Sequence, residues 1–212
     1  MPMSRTLARL FGALALASAT VAAVTGPAAA DDPMKLKMVL NWKYQGPQAW
    51  FFVAQDKGYF AAEGLELQID QGEGSGAAVP KVVSGAYDIG FGDINALINF
   101  AATKPDGAPV AVYMLYNNPP FTVATMKASG IAAPKDLAGR TLGAPPNDAA
   151  LKLSPAFAGT TGIDPATVTV TNVAANLREQ LLLRGQVDAI AGYVNTIWFS
   201  AKAIGIDPAR DM

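Results

Sequence analysis

Gly72, Gly74 and Ala77 fall in the spacing G-x-G-x-x-A within the stretch GEGSGAAV, residues 72–79. Between a strand and a helix, that spacing would seat a dinucleotide pyrophosphate on the helix N-terminus. The mechanics oppose it: the loop is the second strand-to-helix connection rather than the first, Pro80 predicts a late helix start, and the helix reaches Gly85 after about two turns. Asp93 lies near the right sequence distance for a ribose carboxylate, but at the end of the next strand. What remains is a run of backbone N–H groups at Gly74, Ser75 and Gly76. They suit a carboxylate, a sulfonate or a polarised carbonyl oxygen, or else they form a plain tight turn.

Other residues with binding chemistry fall where strands end. Asn41, Trp42 and Tyr44 follow the first strand, so the two rings can face a planar ligand while Asn41 offers a donor and an acceptor. Packing in the interior is the alternative for Trp42. Asp93 and Asn95 open a helix, where Asp93 is either an N-cap or a ligand contact. Tyr116 and Asn117 sit at a linker, Asn147 and Asp148 precede a helix, and Tyr193 and Asn195 follow a strand. Asp93 and Asp148, with Lys43 as the nearby base, favour a small organic solute bearing a ring or an amine. A strongly anionic solute would require an arginine fork. A sulfonate or an aromatic acid stays open.

The residue types that are missing restrict the chemistry further. With no His and no Cys there is no Ser-His-Asp triad, no thiolate nucleophile, no zinc site of the usual kind and no imidazole acid or base. Paired carboxylates could still hydrolyse a glycoside, but Glu63 and Glu66 beside a turn read as solvated surface. The expectation is a binding protein that is not an enzyme, with no catalytic residues, no cofactor and no metal.

Residues 1–30 read as a secretory signal peptide: Arg5 and Arg9, an apolar run from Leu10 to Val24, and Ala28-Ala29-Ala30 before Asp31. The run is shorter than a spanning helix needs. Without this segment the chain carries 14 basic and 17 acidic residues, a net charge of −3, which offers nothing to nucleic acid. An exported chain without cysteine has no disulfides and no lipid attachment site of the bacterial lipoprotein kind, so a soluble periplasmic protein held by its core is expected. The 51% hydrophobic and 16% charged residues can fill such a core.

The elements that position these residues alternate as strand and helix. Strands are predicted at 35–40, 65–69, 87–91 and 110–115, with helices at 48–62, 77–84 and 94–103. Asn117-Asn118-Pro119-Pro120 interrupts the series and marks a boundary between a first lobe, 31–117, and a second, 118–212. Strands then follow at 121–126, 141–144, 167–172 and 187–191, with helices at 148–159, 175–184 and 196–204. The pattern is α/β, with helices on both faces of mainly parallel sheets. Ser84-Gly85-Ala86-Tyr87-Asp88-Ile89 and Arg184-Gly185-Gln186-Val187-Asp188-Ala189 echo each other, which suggests two lobes of the same topology.

Leu40-Asn41-Trp42, the run Phe52 to Leu65 (FVAQDKGYFAAEGL), Val83 to Gly90 (VSGAYDIG) and Asp136 to Gly143 (DLAGRTLG) together resemble the SsuA/THI5-like (NMT1/THI5) family of ABC-importer substrate-binding proteins across the whole chain after the leader. The resemblance implies a periplasmic binding protein type II fold, two doubly wound lobes joined by a hinge that closes on a small-molecule solute. The partner it implies is an ABC permease in the inner membrane, and the chain is expected to act as a monomer. Ligands in such sheets sit beyond the carboxyl ends of the strands. Family members run roughly a hundred residues further, so a truncated C-terminal part is expected. The family also includes a pyrimidine synthase that uses a lysine-bound pyridoxal phosphate and a histidine. The matching positions fall near Gly92 and Ala96, and neither residue is present. A periplasmic ligand sensor is the further alternative.

Overall fold

The computed structural model describes residues 32–212, so the leader pattern of residues 1–30 lies outside the described residues. Residues 34–212 form one compact unit containing two sheets. The first sheet is parallel in the order β2-β1-β3, with β1 at Met34–Val39, β2 at Leu65–Asp70 and β3 at Ile89–Gly90. The second has the order β4-β7-β5-β6, with β4 at Phe121–Thr125, β5 at Thr141–Ala144, β6 at Thr169–Asn172 and β7 at Ala189–Tyr193. Here β4 runs antiparallel to β7, and the other pairs are parallel. This is a mixed α/β architecture of the periplasmic binding protein kind. Among the described residues no helix is long and apolar enough to cross a membrane.

The helices are α1 (Ala49–Asp56), α2 (Tyr59–Ala62), α3 (Ser75–Val83), α4 (Ile94–Thr103), α5 (Ala149–Lys152), α6 (Ser154–Thr161), α7 (Arg178–Leu183), α8 (Val194–Ala203) and α9 (Pro208–Asp211). Side-chain alternation places the core. Met38, Leu40, Leu67 and Ile69 form one cluster, against which Phe51, Phe52, Phe60 and Phe91 pack. Along β7, Ala189 and Ala191 join a cluster with Leu137, Leu142 and Ala158, while the intervening Ile190 joins Val173, Leu182, Val187 and Ile197. The second sheet is therefore covered on both faces.

The echoed motifs do the same work in each sheet. Asp88 Oδ2 accepts from the Lys37 backbone N–H at 2.8 Å while the Asp88 N–H donates to Lys37 O at 2.9 Å. Asp188 Oδ2 accepts from the N–H and Oγ1 of Thr141 at 2.7 and 2.6 Å, and the Asp188 N–H donates to Thr141 O at 3.0 Å. Each aspartate clamps the strand at the centre of its βαβ unit: β1, paired with β2 and β3, and β5, paired with β6 and β7.

Five expectations need correction. The predicted strand at 110–115 does not form: Val110, Val112 and Tyr113 are more than four-fifths exposed, and the edge strand β3 offers only two residues for a ladder. The predicted 48–62 helix breaks at Lys57-Gly58, and the 148–159 helix breaks at Leu153, ahead of Pro155. Pro80 does not delay α3, which begins at Ser75. The Ala77 and Ala78 N–H groups bond Gly74 O, and the missing proline N–H costs only the bond to Gly76 O. The 175–184 helix starts late, at Arg178.

The hydrogen bonds from Thr141 hold the Asp188 carboxyl below its ordinary value. A lowered folded value gives stability that is present above the ordinary aspartate range and lost as pH falls through the folded value. We expect Asp188→Asn to be less stable than the native chain near neutral pH. In urea unfolding, that difference should shrink below about pH 4.

Candidate functional site

The ends of β1, β7 and β5 converge with the start of α3 on a narrow cleft of about 30 Å³ that opens to solvent. Trp42, Tyr193 and Phe121 give its aromatic walls. Asn41, Ser75, Asp148, Arg178 and Thr196 give its polar groups. The strand ends place these residues because each strand passes directly into its loop or helix: Leu40 N–H still bonds Asp70 O, and Tyr193 is both the end of β7 and the N-cap of α8.

Arg178 is the charged cleft residue that sequence reasoning missed. It is 2% exposed on the first turn of α7, where its Nη1 donates to Ala191 O at 3.0 Å. Its Nε and Nη2 both donate to Glu179 Oε1, and Nη1 stands 3.8 Å from Asp148 Oδ2. The guanidinium also lies over the Trp42 ring, 5.3 Å from its centroid. Gly192 makes room for it, since a Cβ there would sit 2.3 Å from Nη1. Lys43 is therefore not the only base at the site, as the sequence reading had it. The buried arginine is not a free fork either, because Glu179 takes two of its donor groups. Neither an arginine among helix residues nor its glycine carries a sequence signal of this pairing.

Asp148 caps α5, with Oδ1 accepting from Ala150 N at 2.8 Å and Leu151 N at 3.3 Å, which leaves Oδ2 toward Arg178. Burial pushes its carboxyl above the ordinary value, against the opposing pull of Arg178 and the two amides. Burial likewise raises the Tyr193 hydroxyl, with Asp93, Tyr116 and Asp148 adding to the effect. The Trp42 Nε1 is buried with no partner among the described residues. A donor in that state favours an acceptor in the cleft.

The other sequence-derived residues are distributed less favourably. Asn41 lines the cleft and meets the Gln48 amide at 2.9 Å. Tyr44 turns away: it is half exposed, bonds Ile69 O and packs edge-on against Phe52. Asp93 caps α4 through Asn95 N and takes the Ser75 Oγ on its own N–H. Asn95 donates its side chain back to Asp93, and Asn195 accepts from Thr196 N. Tyr116 packs between Trp50 and Tyr193, while Asn117 is exposed. Gln48, Phe121, Ala149 and Thr196 line the cleft without having been anticipated.

Of the N–H groups at Gly74, Ser75 and Gly76 that the sequence suggested, two are taken up, while that of Ser75 has no partner among the described residues. Gly74 N–H donates to Asn41 O at 2.9 Å and Gly76 N–H to Asn147 O at 3.1 Å. The glycine loop is thus stitched to the loops after β1 and β5. A Cβ on Gly74, whose φ is +115°, would come within 2.1 Å of Asn147 O. Nor does any lysine line the cleft among the described residues. Lys43 Nζ instead donates to Ala175 O at 3.0 Å, so the residues present do not fit a lysine-bound aldehyde cofactor there.

Removing Arg178 leaves Glu179 and Asp148 buried without a cation. Arg178→Met is expected to destabilise the chain by about 3–5 kcal/mol in urea unfolding. Gly74→Ala is expected to lower the thermal midpoint more than Gly107→Ala, where a Cβ would meet nothing.

The NMT1/THI5 like family model matches residues 47–210. The 4-amino-5-hydroxymethyl-2-methylpyrimidine phosphate synthase of Schizosaccharomyces pombe is 27% identical over 159 residues, 74% of this chain and 44% of that protein. The synthase of the same name from Legionella pneumophila is 26% identical over 162 residues, 76% and 50%. The chain thus spans about half the length of the curated relatives it matches. Among solved structures, a Bordetella bronchiseptica protein shares 24% identity at TM-score 0.67, covering 82% of this chain and 55% of that one. The alkanesulfonate-binding protein SsuA of Xanthomonas axonopodis, bound to MOPS, shares 19% at TM-score 0.63, covering 82% and 58%. The expectation that the chain is not an enzyme is overturned by the curated relatives, which are named as synthases. What the family match and the shared architecture establish together is that this chain belongs to the NMT1/THI5-like family.

Proposed function

We propose that the cleft captures a small planar nitrogenous solute, of the thiamine-pyrimidine kind, for delivery to an ABC permease. One observation carries the choice of ligand. The aromatic walls of Trp42, Tyr193 and Phe121 enclose a buried carboxylate, Asp148, whose Oδ2 has only the 3.8 Å approach of Arg178 Nη1. The plane of an aminopyrimidine stacks on the rings, and its amino edge donates to Asp148 Oδ2. With Glu179 balancing Arg178, the cleft lacks the free cation that a sulfonate or aromatic acid needs.

The mechanism is non-covalent. The solute enters between lobes at residues 31–117 and 118–212, the linker near Asn117 bends, and the closed form meets the permease. In this reading the chain is a periplasmic monomer exported by its leader. A second reading, a pyrimidine-forming synthase acting in the same cleft, is favoured by the names of the curated relatives.

Calorimetric titration with 4-amino-5-hydroxymethyl-2-methylpyrimidine separates these readings. Capture gives saturable binding, recovery of the pyrimidine unchanged by mass spectrometry, and a loss of roughly tenfold or more in affinity for both Asp148→Asn and Trp42→Ala. Tighter binding of methanesulfonate would overturn the nitrogenous-ligand reading. A pyrimidine released newly formed from the purified chain would establish the synthase.

A further inference from the structure

A second cavity, of about 190 Å³ and also open to solvent, lies beside the cleft and is lined by a different set of residues. Lys43 comes from the loop after β1, Asn176, Glu179 and Gln180 from the region of α7, and Ser200 and Ile204 from the end of α8. Nothing in the proposed capture mechanism uses it. Glu179 links it to the cleft through Arg178: Oε1 accepts from the guanidinium, whereas Oε2 accepts no hydrogen bond among the described residues. A carboxylate whose side chain is 6% exposed and has one oxygen unused favours a donor from a bound molecule.

The opposite charge is on Lys43, half-buried, with one of its three N–H groups donated to Ala175 O. Burial lowers its ammonium below the ordinary value, with Glu179 opposing and Arg178 adding to the lowering. Gln45 Nε2 donates to Ser200 Oγ at 3.2 Å, so the Ser200 hydroxyl hydrogen is free to donate. The buried Gln45 Oε1 has no partner among the described residues. A simple anion in this cavity would face Glu179, and a simple cation would face Lys43. A molecule carrying both charges satisfies both walls.

We infer that this cavity is a second binding site, for a small aliphatic zwitterion with an ammonium on Glu179 Oε2 and a carboxylate on Lys43 Nζ and the Ser200 hydroxyl. The Asn176 and Gln180 amides supply the remaining polar contacts, and Ile204 covers the carbon spacer. Because Glu179 also holds Arg178, occupation of the cavity feeds directly into the charge balance of the neighbouring cleft. The inference stands apart from the identity of the cleft ligand.

Amide NMR titrations of the full chain with glycine, β-alanine and 4-aminobutyrate test it, with methylammonium and acetate as single-charge controls. At least one zwitterion should saturate and bind roughly tenfold or more tightly than either control. Its shifts should map to Asn176, Gln180 and Ser200 rather than to Gly74, Ser75 and Thr196. Lys43→Met should weaken it roughly tenfold. Ser200→Ala, a helix-compatible change, should weaken it about fivefold and guards against misfolding of the lysine variant. Absence of saturation, equal binding of a control, shifts confined to the cleft, or unchanged affinity in a folded Ser200→Ala variant would each overturn the inference. Failure of the pyrimidine titration leaves it untouched.

Discussion

A guanidinium taken out of water has to be met by carboxylates and carbonyls in fixed geometry, and the burial of Arg178 imposes that requirement on much of the second sheet and the loops around it. β7 supplies Ala191 O and carries glycine at 192, where a Cβ would crowd the guanidinium out of its present position. Helix α7 must start where Arg178 and Glu179 point inward together, and the loop before α5 must bring in Asp148. The first sheet contributes through Trp42, whose ring lies under the guanidinium at the end of β1. An arrangement of this kind is costly to disrupt and adds little net stability when intact, so its value lies in specifying one geometry for the cleft wall.

That geometry divides charge between two neighbouring spaces. On the cleft side, Arg178 is compensated and Asp148 is held at elevated proton affinity next to aromatic rings, which suits a neutral or basic heterocycle. On the other side, Glu179 keeps an unused oxygen facing Lys43 across a second cavity. The glycine loop 72–76 belongs to the same construction. The Gly74 and Gly76 N–H groups are bound to Asn41 O and Asn147 O, so the loop joins the loops of the two sheets and leaves no run of free N–H groups as an anion cradle. The same fold is shared with a protein titled as an alkanesulfonate binder, and relatives in sequence are named as pyrimidine synthases. Fold alone therefore does not choose the ligand.

Much of the fold was legible because the signals are local. Period-2 alternation located β1, β2 and β5–β7 to within a residue or two, and the echo of Gly-x-x-Asp at 85–88 and 185–188 reflects two aspartates clamping the central strands of their sheets. The misreadings have a common origin. The apolar run at 110–115 has strand composition, but a strand exists only with a ladder partner, and β3 is two residues long. Pro80 reads as a helix breaker, yet within a glycine-capped helix it removes a single hydrogen bond. In the site, Asn41, Trp42, Asp148 and Tyr193 could be found because they stand at strand ends, while Tyr44, an equally good candidate by position, rotates onto Phe52.

By itself, then, the sequence determined the α/β alternation, the duplicated βαβ units and the chemistry available, which without His or Cys rests on carboxylates, amides, aromatic rings and a few cations. Only the tertiary structure decided which of these meet. Arg178, Glu179, Asp148 and Trp42 span 137 positions of sequence but share one buried cluster. Whether a charged side chain ends in solvent or in the interior depends on partners contributed by distant strands. Burial pushes the Asp148 carboxyl above its ordinary value, and carbonyls of distant loops take up the N–H groups of Gly74 and Gly76.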